Sequence, residues 1–391
     1  MTAAAAGPLA PSAPTWPAPR AAYVHVPFCK HKCGYCDFAS LAGEDHQADR
    51  YLAALEREIA DHLLSPQEVD TIFVGGGTPT RLSARQLERL MIVVKRWLIL
   101  EPGGEWTVEA NPGTLDGEKA DVLAQAGVNR VSLGAQSFQP AILQVLEREH
   151  GGQDVASALD VVRPRFPRWS MDLIFGAPGS TLDDWRCDLE NALALDPAHL
   201  SCYGLVYEKG TALHRSLREG RVVPLDEDLE RAMQETTIER LAQAGLEMYE
   251  ISNFARPGHE SRHNLAYWAN DAYFGFGLGA ARYQEGVRSV NTRELAAYLS
   301  RIETGRSAAG ATETLEPEAR ARETLMLMLR RTKLGADRAD FRRRAGFDLD
   351  QLAGDVVKRF VASGLLEDDG RRVRLSPEGV FLADLVLREI V

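Results

Sequence analysis

The chain has 391 residues, of which 45% are hydrophobic, and its formal net charge is −11 at pH 7. This length accommodates one large domain with an appendage, and the hydrophobic fraction is sufficient for a sizeable core. The acidic balance argues against a nucleic-acid-binding surface as the main role. No apolar run approaches the ~18 residues of a membrane-spanning helix, so stable membrane insertion is not expected. Only five cysteines occur and no secretory signal is visible, which fits a reducing, cytoplasmic location.

Residues 1–20 consist mostly of Ala and Pro. A segment of this composition cannot bury a core, so we predict a disordered tail. The folded part of the chain is therefore expected to begin near residue 21.

Three cysteines lie within eight residues: Cys29, Cys33 and Cys36. Thiolates are ligands that suit iron–sulfur clusters and zinc. A closed zinc site and a simple electron-carrying cluster both take four protein ligands, whereas this loop supplies three. The spacing therefore predicts an iron–sulfur cluster with one open metal position, or else a zinc site completed by His25 or His31. The odd and low cysteine count argues against a disulfide framework.

Apolar strand patterns alternate with helical patterns between residues 21 and 206. The predicted strands are 23–26, 71–74, 106–110, 130–134, 170–175 and 200–206. The predicted helices are 47–64, 87–98, 119–125, 140–148, 153–162 and one that begins near 181. Capping boxes at Ser83 and Thr181 mark the starts of two helices. Six strands separated by helices indicate a parallel sheet, either an open doubly wound sheet or a (β/α) barrel.

The pattern changes after residue 206. The further predicted elements are a helix at 225–244, an aromatic and Gly-rich region at 248–283, a helix at 293–304 and mainly helical structure from 312. Residues 365–375 are typical of a β-hairpin that turns at Asp369-Gly370. We therefore assign residues 21–305 to the core and predict a winged-helix-like domain at 306–391. Because acidic residues offset its arginines, we expect this domain to pack against the core or a partner protein rather than to bind DNA.

Candidate binding residues follow the predicted strands. Residues 75–79 (GGGTP) lie between a strand and a capped helix, where glycines allow backbone N–H groups to approach a ligand. Polar residues also end three other strand segments: Glu109, Gln136 and Asp172. Functional side chains gather at this end of the strands in (β/α) barrels. A buried carboxylate needs a partner, which would be a ligand, the backbone, Arg130 or Arg148.

The cysteine loop resembles that of the radical S-adenosylmethionine (SAM) superfamily, in which an aromatic residue, here Tyr35, precedes the last cysteine of C-x3-C-x2-C. The resemblance implies an α/β fold built on a partial six-stranded (β/α) barrel. It also implies a [4Fe-4S] cluster held by Cys29, Cys33 and Cys36, whose fourth iron would bind the amino and carboxylate groups of SAM. In that superfamily a GGGTP-like motif holds the SAM amino group.

Further motifs make residues 21–391 similar to the oxygen-independent coproporphyrinogen III oxidases and their heme-chaperone relatives. These motifs are YVHVPFC, GGGTP, EANP, SLGAQS and MDLIFG. The resemblance implies SAM contacts from the following residues: Tyr23, Gly76, Gly77, Thr78, Glu109, Gln136, Arg148 and Asp172. The oxidases can hold a second SAM, to which Tyr35, Gln136, Arg148 and Asp172 would lie nearer.

Two features distinguish the oxidases from the chaperones. The oxidases carry a fourth cysteine two residues after the third, and this chain has Phe38 there, which argues against decarboxylation of coproporphyrinogen III. The chaperone branch carries H-N-x-x-Y-W, and the matching residues are His263, Asn264, Tyr267 and Trp268. Imidazole is an axial ligand of heme iron, and Tyr and Trp offer flat faces to a porphyrin. Without the family, this stretch would be interpreted as a surface loop with packed aromatic residues.

The resemblance therefore predicts a heme chaperone that delivers heme to hemoproteins such as respiratory cytochromes. Its implied cofactors are the [4Fe-4S] cluster, SAM and heme, and its implied electron donor is a flavodoxin or ferredoxin. The alternatives are a radical coproporphyrinogen III oxidase and a zinc-stapled binding module.

Overall fold

The computed structural model describes residues 17–391. Residues 1–16, which make up most of the predicted tail, lie outside this range. Arg20 forms an ion pair with Asp70, with 2.9 Å between Nη2 and Oδ1. The folded chain is therefore anchored just before the first strand.

The described residues form a long sheet, two small sheets and helices around them. The strands are β1 (Ala21–Val26), β2 (Phe28–Cys29), β3 (Leu41–Ala42), β4 (Gln67–Gly76), β5 (Leu98–Ala110), β6 (Arg130–Gln136), β7 (Arg168–Phe175), β8 (His199–Gly204), β9 (Glu247–Glu250), β10 (Asn253–Ala255), β11 (Tyr273–Phe276), β12 (Ala281–Gln284), β13 (Val287–Asn291), β14 (Ala309–Thr314), β15 (Ala336–Asp337), β16 (Leu366–Asp368) and β17 (Arg372–Leu375). The helices are α1 (Ala48–Leu63), α2 (Ala84–Trp97), α3 (Gly117–Ala126), α4 (Pro140–Val145), α5 (Gly152–Val162), α6 (Leu182–Ala194), α7 (Ala212–Arg218), α8 (Glu227–Gln243), α9 (Arg262–Trp268), α10 (Leu295–Glu303), α11 (Pro317–Leu329), α12 (Arg338–Ala345), α13 (Leu349–Ala362), α14 (Pro377–Phe381) and α15 (Ala383–Arg388). Both predicted capping boxes are present, at the starts of α2 and α6.

The main sheet has the strand order β14-β13-β12-β11-β1-β4-β5-β6-β7-β8-β10-β9. The strands from β11 to β8 in this order are parallel, and antiparallel strands extend both ends of the sheet. The six predicted strands are consecutive neighbours in this sheet, which confirms the partial (β/α) barrel. We call the end of the barrel at the C-termini of the parallel strands the mouth and the opposite end the floor.

Alternation along the strands separates a helix-covered face from the barrel interior. Val24, Val74 and Val108 are fully buried in the core beneath the helices. Their neighbours Tyr23 and Phe73 are only partly buried, because they point to the interior. Polar and aromatic side chains on the strands are therefore gathered inside the barrel.

The sequence-based prediction missed the strands that flank the parallel sheet. The region predicted only as aromatic and Gly-rich contains β9 to β12, and β14 lies at the start of the segment predicted to be helical. A Cβ atom at Gly275 in β11 would collide with the carbonyl of Ala281 in β12, so this close strand pair requires a glycine. Strands this short give too few residues to show an alternating pattern.

The C-terminal residues form a second hydrophobic core, which includes Leu325, Phe341 and Val357. The predicted hairpin is present, since β16 and β17 pair in antiparallel fashion and Gly370 in the turn has a φ of +84°. β15 adds a third strand to this small sheet. This arrangement of helices and hairpin agrees with the winged-helix-like prediction. Within residues 17–391, no helix is long and apolar enough to cross a membrane.

Candidate cluster and cofactor site in the barrel

The cysteine loop leaves β1 and lies over the barrel mouth. The Cys29 Sγ lies 3.6 Å from the Thr78 Oγ1, and the Cys33 Sγ lies 3.7 Å from the Arg148 Nη1. A hydrogen bond of 3.1 Å from the Cys36 N–H to the Cys33 carbonyl turns the loop. Burial raises the pKa of Cys29 and Cys33, and the Arg148 guanidinium opposes this effect at both thiols. The thiols lie within electrostatic reach of one another, as a shared cluster requires.

This set of donors fits a cluster better than a single zinc ion. No group of three or more His, Cys, Asp or Glu side chains in the described part of the chain could hold one metal ion. His25 already bonds to the Tyr23 hydroxyl and the Ala39 carbonyl, and His31 bonds to the Glu147 carboxylate. The structure therefore does not assemble the zinc site that was the alternative. Three thiolates that each bind a different iron do not need to meet at one point.

The GGGTP turn packs tightly against the cysteine loop. Gly76 has a φ of +111°, and a Cβ there would lie 2.3 Å from the His25 ring. The backbone N–H groups of Gly76, Gly77 and Thr78, which we predict to approach a ligand, have partners within the protein. The amide of Gly76 bonds to the Glu109 carboxylate, and those of Gly77 and Thr78 bond to carbonyls of the cysteine loop and β1. The turn therefore supports the loop, because its amides are already used within the protein.

Replacing Gly77 with alanine should destabilise the mouth. The added Cβ would lie 2.6 Å from the backbone carbonyl of Pro27, which cannot move without shifting the cysteine loop. We expect a loss of about 1–3 kcal/mol in the free energy of unfolding, measured by chemical denaturation. Gly113→Ala is the matched control, because the nearest atom to its Cβ would lie at 3.7 Å. Equal unfolding midpoints for the two variants would contradict this account.

The two predicted carboxylates, Glu109 and Asp172, accept hydrogen bonds from different kinds of donor. Glu109 accepts a hydrogen bond of 2.9 Å from the Gly76 N–H, and burial raises its pKa to about 7. Asp172 accepts from the Ser132 hydroxyl at 3.2 Å, and burial raises its pKa as well. Ser132 in turn bonds to the Ser170 hydroxyl at 2.8 Å. A cation between the two carboxyl groups would favour their ionised forms and oppose the effect of burial on both pKa values.

Arg148 connects the other predicted residues to the cysteine loop. Its Nη2 donates to the Gly134 carbonyl at 2.7 Å, while its Nε is buried and has no hydrogen-bond partner in residues 17–391. Gln136 lies beside it with a φ of +65°, a strained value that turns the end of β6. Burial raises the pKa of Tyr35, which also lies next to Arg148. An orphaned N–H on a buried guanidinium is a group that an anionic ligand would satisfy.

Tyr23 reaches the cysteine loop through His25. The Tyr23 hydroxyl lies 2.9 Å from the His25 Nδ1, and the His25 Nε2 lies 3.1 Å from the Ala39 carbonyl. Burial lowers the pKa of His25 to about 4, so the ring is neutral. His25 therefore positions Tyr23, a role different from that of the zinc ligand that the sequence suggested.

The H-N-x-x-Y-W motif lies on the short helix α9, at the barrel floor. The interpretation as a surface loop is wrong, because His263 is only 1% exposed. Its ring stacks on Phe73 with 5.2 Å between centroids, and Phe73 in turn stacks on Tyr23 at 6.1 Å. A continuous set of aromatic rings therefore joins the motif at the floor to the candidate SAM site at the mouth.

The other residues of the motif spread along α9. The Tyr267 hydroxyl bonds to the His263 Nε2 at 2.9 Å. The Asn264 backbone N–H is capped by the Ser261 hydroxyl. Trp268 points to the C-terminal domain, where the Arg330 guanidinium lies 4.5 Å from its ring. The structure thus brings His263 and Tyr267 together and places Trp268 at the other end of the helix.

Acid should destabilise the protein through His263. Burial lowers the pKa of this ring to about 3, whereas the ring is expected to titrate near 6.5 in the unfolded chain. Between these values the unfolded state binds the extra proton, so stability is present above pH 6.5 and is lost as the pH falls. In His263→Gln, the unfolding free energy should change less between pH 6.5 and 4.5, by up to about 1.4 kcal/mol per pH unit. Parallel pH profiles of the two proteins in urea unfolding would exclude this effect.

Sequence reasoning missed Glu105, the buried carboxylate that holds α9 in place. The buried carboxylate of Glu105 accepts from the backbone N–H groups of Arg262 and His263, at 3.3 Å each. Arg130 lies 3.5 Å from Glu105 and also donates to the His259 carbonyl. Glu105 lies one residue before the strand predicted at 106–110, so nothing in the sequence marked it as buried.

Comparison with known proteins identifies the family. Residues 23–190 match the Radical SAM superfamily, and residues 315–382 match the HemN C-terminal domain. The heme chaperone HemW of Bacillus subtilis (strain 168) is 38% identical over 94% of this chain and 98% of its own length. The mitochondrial radical S-adenosyl methionine domain-containing protein 1 of Mus musculus is 33% identical over 96% and 88%.

A solved structure shows the same fold. The coproporphyrinogen III oxidase HemN from Escherichia coli superimposes with a TM-score of 0.83 over 95% of this chain and 90% of its own, at 22% sequence identity. At this identity the likeness concerns the fold alone, whereas the identity to the HemW proteins extends over nearly the whole chain. The chain therefore belongs to the HemW family of the radical SAM superfamily.

Proposed function

We propose that this protein is a heme chaperone, which binds heme and transfers it to hemoproteins such as respiratory cytochromes. The observation that supports this function is the similarity along almost the whole chain to proteins named heme chaperone HemW. In addition, this sequence contains the H-N-x-x-Y-W motif that is typical of the chaperone branch. We place this activity in the cytoplasm, where the thiols of the cluster loop stay reduced.

We further infer that Cys29, Cys33 and Cys36 hold the [4Fe-4S] cluster that the family implies. Such a cluster supplies one electron at low potential, for which a flavodoxin or ferredoxin is the proposed donor. The thiols are half-buried at the barrel mouth. Thr78 and Arg148 lie against two of the sulfurs, so they would limit the access of water to the cluster.

The residues around the mouth suit the charges of SAM. Glu109 and Asp172 are partly buried carboxyl groups whose ionised forms a cationic ligand would favour, and Arg148 offers an unsatisfied N–H to a carboxylate. Tyr23 and Gln136 complete the wall of the proposed site. These residues would bind and orient SAM, and the tight packing of Gly76 and its neighbours would hold the loop that carries the cluster.

We assign the heme site to α9, with His263 as the proposed iron ligand and with Asn264, Tyr267 and Trp268 around the porphyrin. Imidazole nitrogen is a good ligand for heme iron. Trp268 is partly exposed, and its ring has an apolar face for a porphyrin.

An anaerobic heme titration of the cluster-reconstituted protein, followed by difference absorption, tests the function. We expect saturable binding at about one heme per chain, with weaker binding by His263→Ala. His62→Ala is the matched control, because His62 bonds to Gln284 outside the barrel. Absence of saturable binding to the wild type, together with decarboxylation of coproporphyrinogen III, would replace the chaperone function by that of an oxidase.

A further inference from the structure

His263 has no nitrogen free for a metal in this structure. Its Nδ1 lies 2.9 Å from the Thr71 hydroxyl of β4, and its Nε2 lies 2.9 Å from the Tyr267 hydroxyl. Iron binds imidazole through the lone pair of a ring nitrogen, and both ring nitrogens are occupied. The ring is also stacked on Phe73 and is 1% exposed, so a porphyrin cannot reach it.

Two different kinds of contact hold the ends of α9. At its start, the Glu105 carboxylate accepts from two backbone N–H groups inside the barrel floor. At its end, Asn270 donates to the Thr324 hydroxyl at 3.0 Å, and Arg344 of the C-terminal domain forms an ion pair with Asp271. The helix thus lies between the barrel and the C-terminal domain, and it is bonded to both.

Some buried hydrogen-bond donors at the end of α9 lack acceptors among the described residues, unlike the backbone N–H groups at its start. The Trp268 Nε1 and the Arg330 Nε are both buried, and neither has a hydrogen-bond partner in residues 17–391. Only a contact between the Arg330 guanidinium and the Trp268 ring joins the two side chains. Buried donors without acceptors destabilise the closed position of the helix relative to one in which they are hydrated or bound to a ligand.

We propose that α9 is a latch: it closes the barrel floor, and His263 becomes available to heme iron only when the helix withdraws from Thr71. This inference rests on the proposed function, in which His263 binds the iron. The apparent affinity for heme is then the intrinsic affinity multiplied by the fraction of molecules in which the latch is open. When heme leaves, the hydrogen bonds from Thr71 and Tyr267 to the His263 ring form again. The hydrogen bonds that hinder heme binding therefore also favour its release to a recipient.

Thr71→Val tests the latch, since it removes the Nδ1 partner and keeps the shape of the side chain. We expect heme to associate about five- to ten-fold faster than with wild type and to bind more tightly by a similar factor. Thr107→Val is the matched control, because Thr107 is a buried threonine on the next strand, β5, whose hydroxyl has no partner in the described structure. It should bind heme as the wild type does.

Hydrogen exchange of the backbone amides in residues 262–268 gives a second readout. Heme should increase their exchange if the latch opens, whereas a rigid floor would show unchanged or slower exchange. Tyr267→Phe removes the Nε2 partner and should also speed association, which provides a second variant if Thr71→Val does not fold. Wild-type rates in both folded variants would overturn the latch and leave the chaperone function intact. Absence of saturable heme binding by the wild type would overturn both.

Discussion

Arg130→Met should destabilise the protein by about 3–5 kcal/mol, because it leaves the Glu105 carboxylate buried without its cation. Arg130 is 3% exposed and Glu105 is fully buried, with 3.5 Å between Nη1 and Oε2. The guanidinium also donates to the His259 carbonyl, which precedes α9. Loss of this side chain should therefore loosen the barrel floor as well as lower the free energy of unfolding in urea.

Two further variants distinguish the effect of the buried, unpaired charge on stability from a general effect of removing an arginine. Arg50→Met removes the cation of an exposed pair with Glu303, so its unfolding midpoint should stay close to that of wild type. Adding Glu105→Gln to Arg130→Met removes the uncompensated charge, and part of the lost stability should return. If Arg130→Met unfolds at the same urea concentration as Arg50→Met, the pair does not stabilise the floor.

The barrel mouth was largely predictable, because the motifs and strand patterns that form it each lie within a short stretch of sequence. Cys29, Cys33 and Cys36 lie in one loop, and the GGGTP turn follows a strand whose apolar run is clear. Six parallel strands could be predicted because each shows its pattern within a few residues. Glu109 and Asp172 were identifiable as carboxylates placed among apolar residues.

The floor could not be predicted, because its contacts join distant parts of the chain. Thr71 and His263 are separated by 192 positions, and no local pattern indicates that they bond. α9 is too short for its helical period to be recognised. Its position depends on Glu105 and on the C-terminal domain, so the motif was recognisable only by family resemblance and its burial only from the structure.

Glu109→Gln should weaken SAM binding about ten- to a hundred-fold at pH 8, since it removes a buried negative charge from the proposed site of a cation. The carboxylate already accepts the Gly76 N–H at 2.9 Å, which fixes its orientation. Glutamine retains an acceptor for that bond. The variant should therefore keep the fold of the turn and lose mainly the affinity for SAM, measured by anaerobic calorimetry on the cluster-loaded protein.

The pH dependence of SAM affinity shows whether Glu109→Gln acts by removing the charge or by changing the shape of the site. Burial raises the pKa of Glu109 to about 7 in the absence of ligand, so at pH 6 the group is mostly neutral. Binding a cation must then release a proton, and the affinity of the wild type should fall about ten-fold from pH 8 to pH 6. This part of the pH dependence should vanish in Glu109→Gln, because glutamine does not titrate.

Glu250→Gln is the matched control for this experiment. Burial also raises the pKa of Glu250, but its carboxylate bonds to Asn253 and does not contact the GGGTP turn. Its SAM affinity and pH profile should follow those of wild type. A Glu109→Gln protein that retained the wild-type slope between pH 6 and pH 8 would assign the titration to another group. Asp172 would then be the next candidate, because burial raises its pKa and it lies within electrostatic reach of Glu109.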